Sequence, residues 1–283
     1  MKRNVFTIAV LVAGFAACSF AYGEEDQGEA PRGQKVPILD VGYEFTYFYY
    51  EETEGGYWWL MDESGVLHGV KAMATYLPGM LMLRGELHYW TGELEYDGQT
   101  QGGRPLTADT EDTLLDMRGI IGLDLRSEST NDTAILFTGV GLRNWNNTIL
   151  GPGGYEREIE QIYMPVIGID LSRRTSRKGA WGMRGEVDVL LKGTVTSHLS
   201  DLSTTYEDAE NEQKAGTGFG LRYSFYYRFP VGESVAISLE PFIGWWHVAE
   251  SETAEVRLGS RTETVVEPDN DTITIGLGAS VTW

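Results

Sequence analysis

Ten stretches of this chain, 11 to 16 residues long, set apolar side chains on one parity and polar or small ones on the other. The clearest is DTITIGLGASVTW at 271–283. Ile273, Ile275, Leu277, Ala279, Val281 and Trp283 share one parity; Thr272, Thr274, Gly276, Gly278, Ser280 and Thr282 share the other. A period of two is the signature of a β-strand with two unlike faces. Strands of soluble domains average roughly 5–6 residues, whereas about 9–11 are needed to cross a bilayer obliquely. The length of the alternation therefore constrains this chain more than any single motif.

The other nine stretches follow the same rule with varying clarity. In DVGYEFTYFYY, Val41, Tyr43, Phe45, Tyr47 and Tyr49 oppose Asp40, Gly42, Glu44 and Thr46. VLHGVKAMATYL, MLMLRGELHYW and LLDMRGIIGLDL repeat the pattern through residue 125. AILFTGVGLRNW sets Leu136, Val140 and Leu142 against Gly139, Gly141 and Arg143. IEQIYMPVIGIDL is the weakest: Tyr163, Pro165, Ile167, Ile169 and Leu171 oppose Glu160 and Asp170. Pro165 lacks a ladder donor and needs an irregularity beside it. AWGMRGEVDVLLKGTV, TGFGLRYSFYYRF and VAISLEPFIGWW complete the set.

Aromatic residues gather at the stretch ends: Tyr47, Tyr49, Tyr89, Trp90, Trp145, Trp181, Tyr227, Trp245, Trp246 and Trp283. That distribution is expected of girdles at two lipid–water interfaces. Short turns (YLPGM, SESTND, RRTSRKG, FPVGES) alternate with longer polar segments at 51–64, 97–112, 147–158, 199–215 and 251–271. The expected fold is all-β, a membrane-spanning antiparallel up-and-down β-barrel of about ten strands over residues 38–283. An even strand number puts both ends of the barrel on one side, expected to be periplasmic, with the long acidic loops extracellular.

MKRNVFTIAVLVAGFAACSFAYG at 1–23 reads as a secretory signal. Lys2 and Arg3 form its basic start, Val5–Ala17 its apolar run, and Ala21-Tyr22-Gly23 a cleavage site. A second reading makes FAAC a lipidation box at Cys18, the single cysteine. Residues 24–37 are polar and bear Gly and Pro, and are expected to form a disordered periplasmic tail. The formal net charge of −20 argues against nucleic acid as a partner.

The polar parity collects Glu44, Lys71, Arg84, Glu86, Asp116, Arg118, Asp124, Arg143, Arg184, Glu186, Asp188, Lys192, Arg222, Arg228 and Glu240, with Glu160 and Asp170 beside them. Acids and bases nearly balance there, and a ten-stranded lumen is narrow. Unpaired buried charge is costly, so these side chains are expected to form an ion-pair network filling the lumen. A narrow path for ions or small solutes is the alternative. In the first long segment, Tyr57, Trp58, Trp59, Leu60 and Met61 make an apolar patch expected to contact a surface partner.

The closing stretch, with Ile273, Ile275, Leu277, Val281 and the aromatic Trp283, resembles the assembly signal of bacterial outer-membrane β-barrel proteins. The resemblance extends as pattern over the whole expected mature chain, residues 24–283, and implies a small single-chain, monomeric barrel in the outer membrane of a Gram-negative bacterium. It also implies contact with outer-membrane lipid, lipopolysaccharide and the barrel-assembly machinery. The layout is similar to omptin proteases, ten-stranded barrels with an Asp–His pair opposite two acids at the outer rim. Candidates for such a pair are His198 with Asp201 and His247 with Glu250. No omptin motif matches residue by residue, so no catalytic residue is expected, and no cofactor or metal ligand set is apparent. The acidic segments leave divalent-cation binding open.

Overall fold

The computed structural model describes residues 37–99, 104–125, 132–151, 153–175, 179–232 and 234–283. The signal segment expected over 1–23 lies outside them, as does the tail apart from Pro37. The strands are β1 (Ile38–Glu54), β2 (Trp58–Tyr76), β3 (Leu81–Gln99), β4 (Pro105–Asp124), β5 (Asp132–Ile149), β6 (Glu156–Arg174), β7 (Ala180–Ser197), β8 (Ala209–Gln213), β9 (Gly218–Pro230), β10 (Ala236–Val248), β11 (Ala254–Leu258), β12 (Arg261–Val265) and β13 (Asp269–Thr282). Among the described residues there is no α-helix, only a short 3-10 turn at Leu199–Asp201.

Each strand pairs antiparallel with its neighbours, β6 continues onto β7, and β1 pairs with β13. The sheet is thus closed on itself. β8 and β9 occupy one position in the ring, both pairing with β7 on either side of the break at 214–217. β11 and β12 form a separate hairpin. The result is a closed ten-stranded up-and-down barrel. At the seam Asp40 faces Thr282 and Thr53 faces Asp269, so the last strand is tied along nearly its whole length. Leu39 and Trp283 exchange both backbone hydrogen bonds at 2.9 Å, and the Thr282 hydroxyl donates to Asp40 at 2.6 Å. Closure leaves no unpaired edge along the wall.

The wall changes character along its height. Near the end that carries the seam termini, here the terminal end, outward side chains are apolar and exposed. Tyr43 and Phe45 on β1, Leu83 and Leu87 on β3, Ile121 and Leu123 on β4, and Ile275, Leu277 and Val281 on β13 belong to this belt. Toward the opposite end, the loop end, outward positions are polar or acidic: Glu93, Glu95 and Asp97 on β3, Glu111 on β4. There the apolar side chains sit inside instead. Phe48, Tyr50, Met61, Leu67, Leu94, Tyr96, Leu114, Trp145, Ile159 and Val195 form one buried cluster within the ring. A belt that exposes apolar side chains needs an apolar solvent around it, and the acidic outer face above it needs water. β2 to β6 each have 18 to 20 residues. Such strands run about 60 Å, well beyond a belt about 25 Å tall even when tilted.

Several expectations are corrected by this. Segments 51–64, 97–112 and 147–158 are mostly wall, because β1 to β6 continue their ladders through them. Trp90, Trp145 and Trp246 are not girdle residues: Trp145 and Trp246 are buried inside the ring, and Trp90 packs against the buried cluster there. Two bulges reverse parity midway. Val166 is the extra residue between Pro165 and Ile167 of β6, and Leu191 the extra residue of β7 opposite the Ile162/Tyr163 step. Above them Tyr163 and Val195 turn inward, while Glu160 and Lys192 turn outward and are exposed. Each bulge inserts one residue, so every later side chain changes face.

Tyr163 lies flat over Gly141, where an added Cβ would come 2.2 Å from the ring. Its hydroxyl donates to Asp116 at 2.6 Å, so the ring cannot swing away without losing that bond. Gly141→Val is expected to destabilise the barrel by about 1–3 kcal/mol, as overpacking does. Gly119 faces outward with nothing within 4 Å of an added Cβ. Gly119→Val should stay within about 0.5 kcal/mol of the parent in the same urea unfolding assay in lipid vesicles.

Candidate functional site

Inside the ring the side chains form layers. Nearest the terminal end, Met82, Ile120, Ile135 and Phe137 pack together, with Leu77 against them. A charged belt follows. Arg118 contacts Glu186 on β7 and Glu86 on β3. Arg184 reaches Glu86 at 2.8 Å, and Arg84 reaches Asp170 at 3.3 Å. Arg222 holds Asp116 at 2.9 Å and Asp188 at 2.8 Å. Lys71 pairs with Glu240 at 2.7 Å, and His88 Nδ1 lies 2.9 Å from Glu44. The pairs Lys71–Glu240 and Arg84–Asp170 each join strands three positions apart in the ring, and Arg222–Asp116 joins strands four apart. They are held across the lumen, not along the wall.

The residues expected in this network do not all meet. Arg228 lies over the Tyr226 ring, 5.9 Å from its centre, and donates to Ser238 at 3.3 Å. Arg143 faces Asp116 in register, and Asp124 is buried near the terminal end. Lys192 is outside the network, carried to the outer face by the Leu191 bulge. Conversely Tyr163 and Tyr226 join it, the latter donating to Asp170 at 2.9 Å. The sequence contained no sign of Tyr163, because the bulge that turns it inward has no residue signature beyond Pro165.

At the loop end a second cluster closes the ring. Arg157 of β6 contacts Glu52 of β1, five ring positions away and so across the full diameter. Its guanidinium sits 5.1 Å above the Tyr50 ring centre and 5.2 Å above that of Trp145. Asp112 accepts from Trp145 Nε1 at 2.7 Å and Asn147 Nδ2 at 3.0 Å, and Asn147 also donates to Glu63. Glu267, from the segment between β12 and β13, reaches into this cluster: 3.4 Å from Arg157 and 3.2 Å from the Tyr50 hydroxyl. It is almost fully buried. Glu52 was legible in principle, since Glu44, Thr46, Phe48, Tyr50 and Glu52 continue one parity.

The apolar patch divides. Tyr57 and Trp58, 91% and 75% exposed, stand at the tip of the β1–β2 hairpin beside Gly55 and Gly56, both at positive φ. Trp59 is partly exposed, Leu60 half-buried, and Met61 points inward into the buried cluster. The histidine pairs also differ from expectation. His198 Nδ1 lies 3.3 Å from Asp208, not Asp201, and the Ser200 backbone N–H holds Asp208 below the usual carboxylate range. His247 lies 3.3 Å from Asp271, its register partner across β13, not Glu250. His247 shares the outward parity of Trp245, so it does not face the lumen. Among the described residues no group of three or more His, Cys, Asp or Glu is placed to hold a metal ion.

A closed ring of ten antiparallel strands, an apolar outer belt and a charged lumen make up the fold seen in bacterial outer-membrane β-barrels. No protein-family model matches this chain, and no curated protein matches it in sequence. Solved structures do. The outer membrane protease OmpT from Escherichia coli superposes with a TM-score of 0.61 at 10% identity, covering 92% of this chain and 99% of that one. The translocator domain of the autotransporter NalP from Neisseria meningitidis matches at 0.39 and 10%, covering 96% and 95%. At 10% identity the likeness to the protease structure shows the fold alone.

Two outcomes follow from the charges. Arg118→Met leaves Glu86 and Glu186 buried with one partner fewer, and should cost about 3–5 kcal/mol in vesicle unfolding. Glu267, facing Tyr50, Glu52, Tyr155 and Arg157, is pushed up to about 7 by burial and then by the Glu52 carboxylate, against the pull of Arg157. A raised acid stabilises its buried seat fully below its ordinary value, roughly 4.3, and that stability fades as pH rises through 7. Amide exchange over 254–265 should therefore be slower at pH 5 than at pH 8, after correction for intrinsic rates. Glu267→Gln should flatten the difference.

Proposed function

We propose that this protein is an integral barrel of the outer membrane of a Gram-negative bacterium. Its lumen is plugged, its loop end faces outside and its termini face the periplasm. The observation that carries the reading is the Arg157–Glu52 tie across the full diameter, stacked on layers of cross-lumen pairs and buried apolar side chains. A lumen crossed by paired charges and packed aromatics has its side chains committed to each other, which supports a structural and surface-interaction role for a monomer. Insertion would use the barrel-assembly machinery, with β13 as the recognised strand, and the outer belt would meet membrane lipid and lipopolysaccharide. The tip residues Tyr57 and Trp58 are exposed beyond any packing need and are the proposed point of contact with another surface molecule.

A second reading has one observation in its favour. The Escherichia coli neighbour is a protease by name, and the His198–Asp208 pair lies near the loop end here. That pair is partly exposed, and we propose that it is not catalytic. Cleavage of a fluorogenic peptide library by the barrel, abolished by His198→Ala, would overturn this.

The deciding experiment is single-channel recording of residues 24–283 in a planar bilayer at neutral pH, with a heat-modifiable gel band as proof of folding. No steady unit current is expected; discrete steps would replace the plug with a narrow channel. The double variant Tyr57→Ser/Trp58→Ser should keep its stability within about 0.5 kcal/mol. It should also weaken adhesion of cells displaying the barrel, and undiminished adhesion would remove the tip from the proposal.

A further inference from the structure

A cavity of about 150 Å³ lies in the lumen, with side chains of the charged belt and of the buried aromatic cluster on its wall. Each of the five acids on that wall is held by a basic side chain: His88, Lys71, Arg118, Arg184 or Arg222. Arg143 is on the wall as well, and it makes no hydrogen bond or ion pair among the described residues. It is the one basic side chain of the lining left in that state.

The reason lies with its register partner on β4, Asp116. One oxygen of that carboxylate accepts from the Tyr163 hydroxyl at 2.6 Å, and the other from Arg222 at 2.9 Å. Asp188, the next acid near Arg143, is itself held by Arg222 at 2.8 Å. The Arg143 guanidinium is also within reach of a guest. None of its nitrogens is among the sealed polar atoms that lack a partner, so all keep accessible surface. Arg143 shares the inward face of Asp116, so the space open to them is the lumen. A guanidinium enclosed without a counter-charge is costly, and its planar fork of N–H donors matches the two oxygens of a carboxylate. Elsewhere on the same wall Phe48, Leu67 and Leu114, all buried, supply apolar surface.

We propose that Arg143 and this cavity form a binding site for a small aromatic carboxylate, a single ring bearing one negative charge. One basic group without an acid of its own calls for one charge on the guest. The apolar part of the wall calls for an apolar body, and a cavity of about 150 Å³ is large enough to hold a benzene ring. The carboxylate oxygens accept from Arg143. The inference goes beyond the plugged-barrel reading and does not depend on it, because a site inside the lumen is compatible with either a closed or a conducting barrel.

The test is equilibrium dialysis of the folded barrel in lipid nanodiscs against radiolabelled benzoate at pH 7.5, with uptake by empty nanodiscs subtracted. Dialysis reads occupancy at equilibrium, so slow entry into an enclosed lumen does not hide binding. Saturable uptake approaching one benzoate per barrel is expected. Benzyl alcohol, which keeps the ring and lacks the charge, and acetate, which keeps the charge and lacks the ring, should each displace it only at tenfold or higher concentration than unlabelled benzoate. Arg143→Gln should weaken uptake at least tenfold and Arg143→Lys several-fold, because the ammonium keeps the charge and loses the fork. Lys192→Gln, which removes a cation from the outer face, should leave uptake unchanged. No saturable uptake, as when water alone solvates the guanidinium, would overturn the proposal. So would displacement by benzyl alcohol or acetate as effective as by benzoate, or undiminished uptake by a folded Arg143→Gln barrel.

Discussion

The structure depends on one requirement: every backbone N–H and C=O of the wall must find its partner within the ring. Where the outer face is apolar, no water is at hand to satisfy a free edge, so pairing of β1 with β13 is obligatory. Closure then dictates the interior. Ten strands set at one circumference bring their inward side chains within reach of each other, and charges that would be solvated on an open sheet must be neutralised by neighbours. The pairs Arg118–Glu186, Arg84–Asp170 and Lys71–Glu240 answer that demand.

A single strand here meets two solvents, and β1 records the change without any bulge. Val41, Tyr43, Phe45 and Tyr47 point outward, whereas Phe48 and Tyr50 point inward. The apolar parity switches between Tyr47 and Phe48, marking the height at which the surroundings pass from apolar to aqueous. Read by alternation alone, such a switch looks like the end of a strand, and this is why 51–64 and 97–112 resemble loops in the sequence. The lower halves of the strands, the closing of the ring and most of the charged belt are legible because their parity never changes. The bulges at Val166 and Leu191 are not, because an inserted residue need differ in no way from its neighbours. Pro165 was the one local sign, and it lies beside the first of them.

The loop-end cluster was hidden for another reason. Arg157, Glu52 and Glu267 come from three segments separated by about a hundred residues each, and only closure of the ring brings them together. Glu267 lies in a region whose composition is that of a solvated acidic loop, yet its side chain is buried against Arg157 and Tyr50. Composition describes the average of a segment. Burial of one residue within it depends on where the chain folds back.

The layered interior has a consequence best put in electrical terms. An apolar layer near the terminal end, a charged belt, an aromatic layer and the Arg157 cluster follow one another along the axis. Resistances in series add, so the current through such a stack is set by its least permeable layer. Removing one ion pair lowers one resistance and leaves the others standing. On the plugged-lumen reading proposed above, a barrel built this way would tolerate drift at any one lumen position without leaking, and would become a pore only by loosening several layers at once.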